Sequence, residues 1–269
     1  EKQANSLNYN RNTINKLNDT ILLFSKKFNK GDLFINKALG KTLRLILKNG
    51  RDEFYRGSIS KNIINYVNSR NGILREEDFE NYEAVWREPI RFNYKNLNII
   101  SMGPPSSGGI VLGQILKMIE PYDLSSYDHN SLEYIQLLVE AQRRSFADRG
   151  KYLGDPDFNY IPVNELLKKE YLNNRMDSFT FEKSTPSNLI SYGKFDFNES
   201  EETTHYSIVD KFGNAVSVTT TLNGNYGSKL FPSDLGFFLN NEMDDFSIKP
   251  GSPNMYGLIG GEINSIEPN

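Results

Sequence analysis

The chain has 269 residues, 38% hydrophobic and 12% aromatic, which is enough apolar material for one large domain or two small ones. Its 31 basic residues are scattered and outnumbered by 34 acidic ones, so nucleic acid is not an expected partner, and no apolar run approaches the ~20 residues of a membrane span. With no cysteine and two histidines, His129 and His205, it excludes disulfides, thiol nucleophiles and zinc–thiolate sites; no metal or other cofactor is expected.

Residues 1–35 are rich in Asn and Lys and contain one helical patch, LNDTILLFSKKF; the lysines of KKFNKGDLFINK (26–37) read as solvated surface rather than an anion site. From Asn36, apolar Ala38, Leu39, Leu43, Ile46 and Leu47 recur at helical spacing, and Asn49–Gly50 supplies a stop. A second helix is predicted over 58–69 and a short acidic one over 73–82. RFNYKNLNIISM (91–102) alternates as a hairpin turning near Lys95–Asn96.

GPPSSGGIVLGQILKMIE (103–120) opens with prolines and serines suited to a helix start. Its glycine pair could present amides to a phosphate, but no Gly-Lys-Ser/Thr follows, and a tight turn with close backbone approach is the preferred reading. The longest helix is predicted within 130–158, with Leu132, Ile135, Leu138 and Val139 toward a core. Arg143, Arg144, Asp148 and Arg149 lie at one-turn spacings, read as a salt-bridged surface. From 179 to 202 the chain is polar and without period, as in a lid, a linker or a segment meant to be cut.

From Thr203 the sequence alternates as a strand, with five threonines in nineteen residues. Asp210-Lys211-Phe212-Gly213 has the form of a type I turn completed by a left-handed glycine. The implied register pairs 208 with 216, 206 with 218, 204 with 220, and sets Thr203 opposite Thr221. One face then holds Tyr206, Ile208, Val216, Val218 and Leu222, a predicted core face; the other holds His205, Ser207, Ser217 and Thr219. Facing threonines are commonly just sheet. A threonine hydroxyl becomes a competent nucleophile when its own α-amino group is free to act as base, and cleavage after Glu202 would generate that terminus.

TTHYSIVDKFGNAVSVTTTLN resembles the start of the small subunit of the γ-glutamyltranspeptidase (glutathione hydrolase) family. GRDEFYRGSISKNI, ILREEDFENYEAVWREPI, SMGPPSSGGIVLGQIL and ADRGKYLGDPDF resemble successive segments of its large subunit, and LGFFLNNEMDDFSIKPGSPNMYGLIGG the stretch after the hairpin. The resemblance implies an α+β fold, the four-layer αββα sandwich of the N-terminal-nucleophile hydrolases. It implies a precursor that cleaves itself between Glu202 and Thr203. Residues 1–202 would then be the C-terminal part of the large subunit, ending in a flexible pre-cleavage segment (about 179–202), and 203–269 the N-terminal part of the small one.

By the same resemblance Thr203 is the nucleophile and Thr221 its hydroxyl partner. Asn223, Glu242 and Asp245 hold the substrate's α-ammonium, Glu242 standing where some members have Gln, and Tyr256 matches a lid tyrosine. The implied function is γ-glutamyl transfer or hydrolysis on glutathione and related compounds, with water or an amino-acid or peptide amine as acceptor, in a periplasmic or secreted setting. Poly-γ-glutamate processing enzymes and cephalosporin acylases are alternatives within the family; a non-catalytic γ-glutamyl-peptide binding module is the alternative outside it. Both chain ends are expected to be cut. The family's carboxylate-binding arginine, Ser-Ser pair and oxyanion Gly-Gly pair would lie beyond them, leaving this stretch inactive by itself.

Overall fold

The computed structural model describes residues 1–18, 22–24, 26–190, 204–257 and 259–266. Helix and strand are mixed, an α+β architecture as expected. Its strands among the described residues form two two-stranded antiparallel sheets. The chain divides into two compact units, Glu1–Val85 with Glu201–Glu242, and Trp86–Ser200 with Met243–Asn269.

In the first unit, α1 (Lys2–Leu17) precedes the patch where a helix was expected. That patch holds only a short 3-10 turn, Leu22–Phe24, among its described residues. The periodic signal was misplaced because α1 is polar nearly all round and buries only Asn10 and Ile14. Helices α2 (Lys37–Asn49), α3 (Arg51–Tyr55), α4 (Ser58–Asn68) and α5 (Glu76–Glu80) follow. Asn36 caps α2 by accepting from the Leu39 amide, and Gly50 ends it. Ile14, Phe24, Phe28 and Phe231 make one core cluster, and Ile59, Ile63 and Leu235 another, so 222–242 is packed into this unit. Thr42 Oγ1 donates to Leu235 O at 2.8 Å and Asn36 Nδ2 to Gly236 O at 2.7 Å, fixing the returning chain on the start of α2.

In the second unit, β1 (Ile90–Tyr94) and β2 (Leu97–Ser101) form the predicted hairpin, turning through Lys95 and Asn96. Helices α6 (Gly108–Ile119), α7 (Leu132–Tyr152), α8 (Val163–Leu166) and α9 (Lys169–Met176) pack behind it. A Cβ on Gly109 would collide with the Met102 carbonyl, which is the close approach anticipated for the glycine pair. Met118, Ile119, Leu137, Ala141, Leu172 and Met176 form one cluster; Ile90, Phe92, Ile110, Leu153, Ile161 and Leu166 form a second.

Helix α7 is rotated from its predicted orientation. Leu132 is 74% exposed, and Ile135 and Val139 are also largely open, while Leu137, Glu140, Ala141, Arg144, Ser145 and Asp148 are buried. The charged residues read as surface are therefore core. Arg144 is ion-paired to Glu140 and donates to Ser178 Oγ at 2.8 Å, Thr185 Oγ1 at 3.1 Å and Arg175 O at 2.6 Å. Burial pushes the Glu140 carboxyl upward, but hydrogen bonds from Arg144 and Thr185 outweigh it and leave Glu140 below the usual glutamate range. Asp148 goes the other way: burial raises it more than Arg175, Tyr171 and Gln114 lower it. The same helix holds part of the stretch expected to be loose from 179 onward. Gln136 Nε2 donates to Thr180 O at 3.0 Å, Arg143 to Thr185 O and Ser187 Oγ at 2.8 Å each, and Ile190 is buried. Residues 191–203 lie outside the described residues.

Candidate functional site

β3 (Thr204–Val209) and β4 (Ala215–Thr220) pair in the predicted register, Thr204 with Thr220, Tyr206 with Val218 and Ile208 with Val216. The turn is also as read: Asp210 N donates to Asn214 O at 3.0 Å, Asp210 Oδ1 accepts from Phe212 and Asn214 amides, and Gly213 takes φ +84°. On the polar face His205 Nδ1 lies 2.8 Å from Thr219 Oγ1, and its Nε2 3.2 and 3.1 Å from the Ser207 and Ser217 hydroxyls. The face read as core is open: Tyr206 is 47%, Ile208 56% and Val216 52% exposed. A two-stranded ribbon alone has no second layer to cover its apolar side. Thr203 and the Glu202 junction lie outside the described residues.

Beyond β4 the chain loops out and returns. Leu239 N donates to Leu230 O at 3.0 Å and Asn241 N to Leu222 O at 3.1 Å, so the start of the NNEMDD turn is laid beside Thr221–Gly224. Asn223 is buried with φ +68°, a conformation asparagine tolerates better than most residues. Its amide donates to Thr221 Oγ1 at 3.0 Å and its Nδ2 to Asn241 O at 3.1 Å, while Asn241 Oδ1 accepts from Gly224 N at 2.9 Å. Thr221 Oγ1 therefore accepts from within its own turn, which leaves its hydroxyl hydrogen to point at a partner.

The 3-10 turn Glu242–Asp245 carries the chain from the first unit into the second. There Asp244 Oδ2 accepts from the Met255 amide at 3.1 Å, and Asn264 Nδ2 donates to Asp245 O at 2.8 Å. Gly251 N donates to Gly260 O at 3.2 Å, and a bridge joins Pro253 to Ile259. Tyr256, half-buried in this loop, is set by its amide donating to Asn254 Oδ1 at 3.0 Å. The structure thus joins Thr221, Asn223 and the approach to Glu242 in one unit, and Asp245 with the Tyr256 loop in the other.

Arg149 of α7, read from the sequence as salt-bridged surface, lines a cavity instead. Its Nε donates to Ser107 Oγ at 3.0 Å, and its guanidinium shares a cavity of about 250 Å³ with Asp244, Asp245, Ser247 and Lys249. Burial lowers the Arg149 pKa, against which the Asp245 charge works. The signal was present in ADRGKY but indistinguishable from ordinary helix surface.

The family model described as gamma-glutamyltranspeptidase matches residues 1–269. The chain is 45% identical over 240 residues to the glutathione hydrolase proenzyme of Escherichia coli K12, covering 89% of this chain and 41% of that one. It is 40% identical over 261 residues to the Pseudomonas aeruginosa glutathione hydrolase proenzyme, covering 93% and 46%. It thus spans less than half the length of these relatives. Among solved structures, Helicobacter pylori gamma-glutamyltranspeptidase aligns with TM-score 0.68 at 36% identity over 74% of this chain and 58% of its own. Cephalosporin acylase from Bacillus halodurans aligns at TM-score 0.78 over 98% of this chain and 47% of its own, but at 20% identity, a likeness of fold.

Proposed function

Because the chain belongs to the γ-glutamyltranspeptidase family, we propose that its parent protein is a self-cleaving γ-glutamyl transferase and hydrolase whose nucleophile is Thr203. The observation that supports this reading is the β3–β4 register, Thr204 with Thr220 and Tyr206 with Val218, the register from which the sequence reading expects Thr203 to face Thr221.

In the precursor the Thr203 hydroxyl attacks the Glu202 carbonyl carbon, the peptide C–N bond breaks, and the chain is held as an ester on Thr203 with a free α-amine. Water then hydrolyses the ester and releases the Glu202 carboxylate, leaving residues up to 202 in a large subunit and Thr203 at the head of a small one. In turnover the freed α-amine takes the hydroxyl proton as Thr203 attacks the γ-carbonyl of a donor such as glutathione. That proton passes to the departing amine, a γ-glutamyl ester remains, and water or an amino-acid or peptide amine takes the acyl group. Thr221, its oxygen already occupied by the Asn223 amide, donates to the Thr203 hydroxyl and orients it. Asn223, Glu242 and Asp245 receive the donor's α-ammonium, and Tyr256 closes over it. Among the described residues no helix is long and apolar enough to cross a membrane; a periplasmic or secreted location is part of the proposal.

Glutamate release from γ-glutamyl-p-nitroanilide tests the substrate class. Asp245→Ala is expected to raise KM on the order of 10²-fold by removing a charged partner of the ammonium. Glu242→Gln, which keeps an acceptor oxygen, should change KM less than about tenfold. Equal tolerance of both changes would contradict the assignment.

A further inference from the structure

The turn Glu242–Asp245 places three carboxylates, Glu242, Asp244 and Asp245, within four residues. Like charges so close repel, and the side chain meant to face an ammonium needs something to hold its direction and its charge. Asp244 is already engaged by the Met255 amide. Asp245 is exposed, its backbone carbonyl is held by Asn264, and it lines the same cavity as Arg149.

Two cations line the cavity beside it, Arg149 and Lys249. Lys249 is exposed on a flexible stem, so its charge is screened and unfixed. Arg149 differs in both respects: it is half-buried on the last turns of the 21-residue helix α7, and its Nε is bonded to Ser107 Oγ. Ser107 is the residue at the start of α6, yet its hydroxyl makes no cap bond to that helix and serves the arginine instead. With Nε occupied, the two terminal nitrogens of the planar guanidinium are available to the cavity. The Ser247 hydroxyl, buried and without a hydrogen-bond partner among the described residues, lines the same cavity and marks it as space for polar groups.

We propose that Arg149, oriented by Ser107, is a positioning residue for Asp245: it holds that carboxylate ready for the donor's α-ammonium and so sets the preference for donors with a free α-amine. This rests on the reading of Asp245 given above.

The test compares two donors in the self-cleaved, full-length enzyme, γ-glutamyl-p-nitroanilide and glutaryl-p-nitroanilide, which lacks only the α-amine. Wild type should favour the first strongly. Arg149→Gln should lower that preference on the order of tenfold, chiefly through KM for the amino donor, as loss of one nearby fixed charge predicts. Arg149→Lys should restore much of it, and Ser107→Ala, which keeps the charge but frees the guanidinium, should lose about two- to threefold. A merely structural role would depress both donors alike and leave their ratio unchanged, which overturns the inference. Should Arg149→Gln fail to accumulate, the ratio in Arg149→Lys and Ser107→Ala decides: both at the wild-type value overturns it. A wild type indifferent to the α-amine would instead overturn the reading of Asp245 itself.

Discussion

Replacing Thr203 by alanine is expected to leave the product of the full reading frame as one chain and to cut turnover of γ-glutamyl donors by a factor on the order of 10³ or more. Thr203→Ser keeps the hydroxyl and should still cleave and turn over, more slowly. β3 and β4 pair as Thr204–Thr220 and Tyr206–Val218, and the proposal continues that register by one residue, to Thr203 facing Thr221. Thr221 Oγ1 is fixed by the Asn223 amide, and a hydroxyl that already accepts from its own turn is set to donate. Thr221→Ala removes this donor and should slow both reactions about 10–100-fold, the worth of one hydrogen bond to a reacting oxygen. SDS gels of freshly purified variants and initial-rate assays read the two effects separately. Full activity in Thr203→Ala would end the nucleophile assignment.

The largest effect on stability is expected at Glu140→Ala. Arg144 is 1% exposed, and Glu140 is the carboxylate paired to it. Deleting the acid strands a buried guanidinium with neutral partners only, a loss of about 3–5 kcal/mol against a total domain stability of roughly 5–15 kcal/mol. Arg143, paired to the same carboxylate but with its side chain 28% exposed, should cost about 1 kcal/mol or less on truncation. A large drop in Tm for Glu140→Ala beside a small one for Arg143→Ala is the expected pattern; equal drops would contradict it. Acid should act in the same sense. The Glu140 carboxyl sits below its ordinary range in the folded chain, so its contribution is present above the unfolded value and is lost as pH falls through the lowered one. Asp148, raised by burial, has the opposite sign and softens the acid loss.

These two sites differ in how far the sequence revealed them. The hairpin was legible to the residue, because the Asp-x-x-Gly turn fixes loop length and loop length fixes register. Its apolar side was misjudged as core, since alternation reports which residues share a face and not what covers that face. The β1–β2 hairpin and the α2 stop at Gly50 were equally plain, being signalled by local turn chemistry. Helix α7 was found, but its inward face was misread. The buried positions Glu140, Arg144 and Asp148 carry charges that pattern reading assigns to water, while Leu132 and Ile135 sit at its exposed start. Their partners, Thr185, Ser178, Arg175 and Gln114, are 27 to 45 residues away along the chain, where periodicity gives no signal. Arg149 was taken for surface for the same reason, since Ser107 and Asp245, which it meets through a hydrogen bond and a shared cavity, are 42 and 96 residues away. Asn223 and Glu242 were named from family motifs, and only the structure explains how a loop returning through Leu239 and Asn241 brings their segments together.

The most direct measurement is N-terminal sequencing, with intact mass, of the smaller fragment made when the full reading frame is expressed and purified without added protease. The account predicts a fragment beginning Thr203-Thr204-His205-Tyr206-Ser207 in wild type. A single uncleaved chain, or a fragment beginning at any other residue, would contradict it, because the α-amine that must serve as the base would then not belong to Thr203.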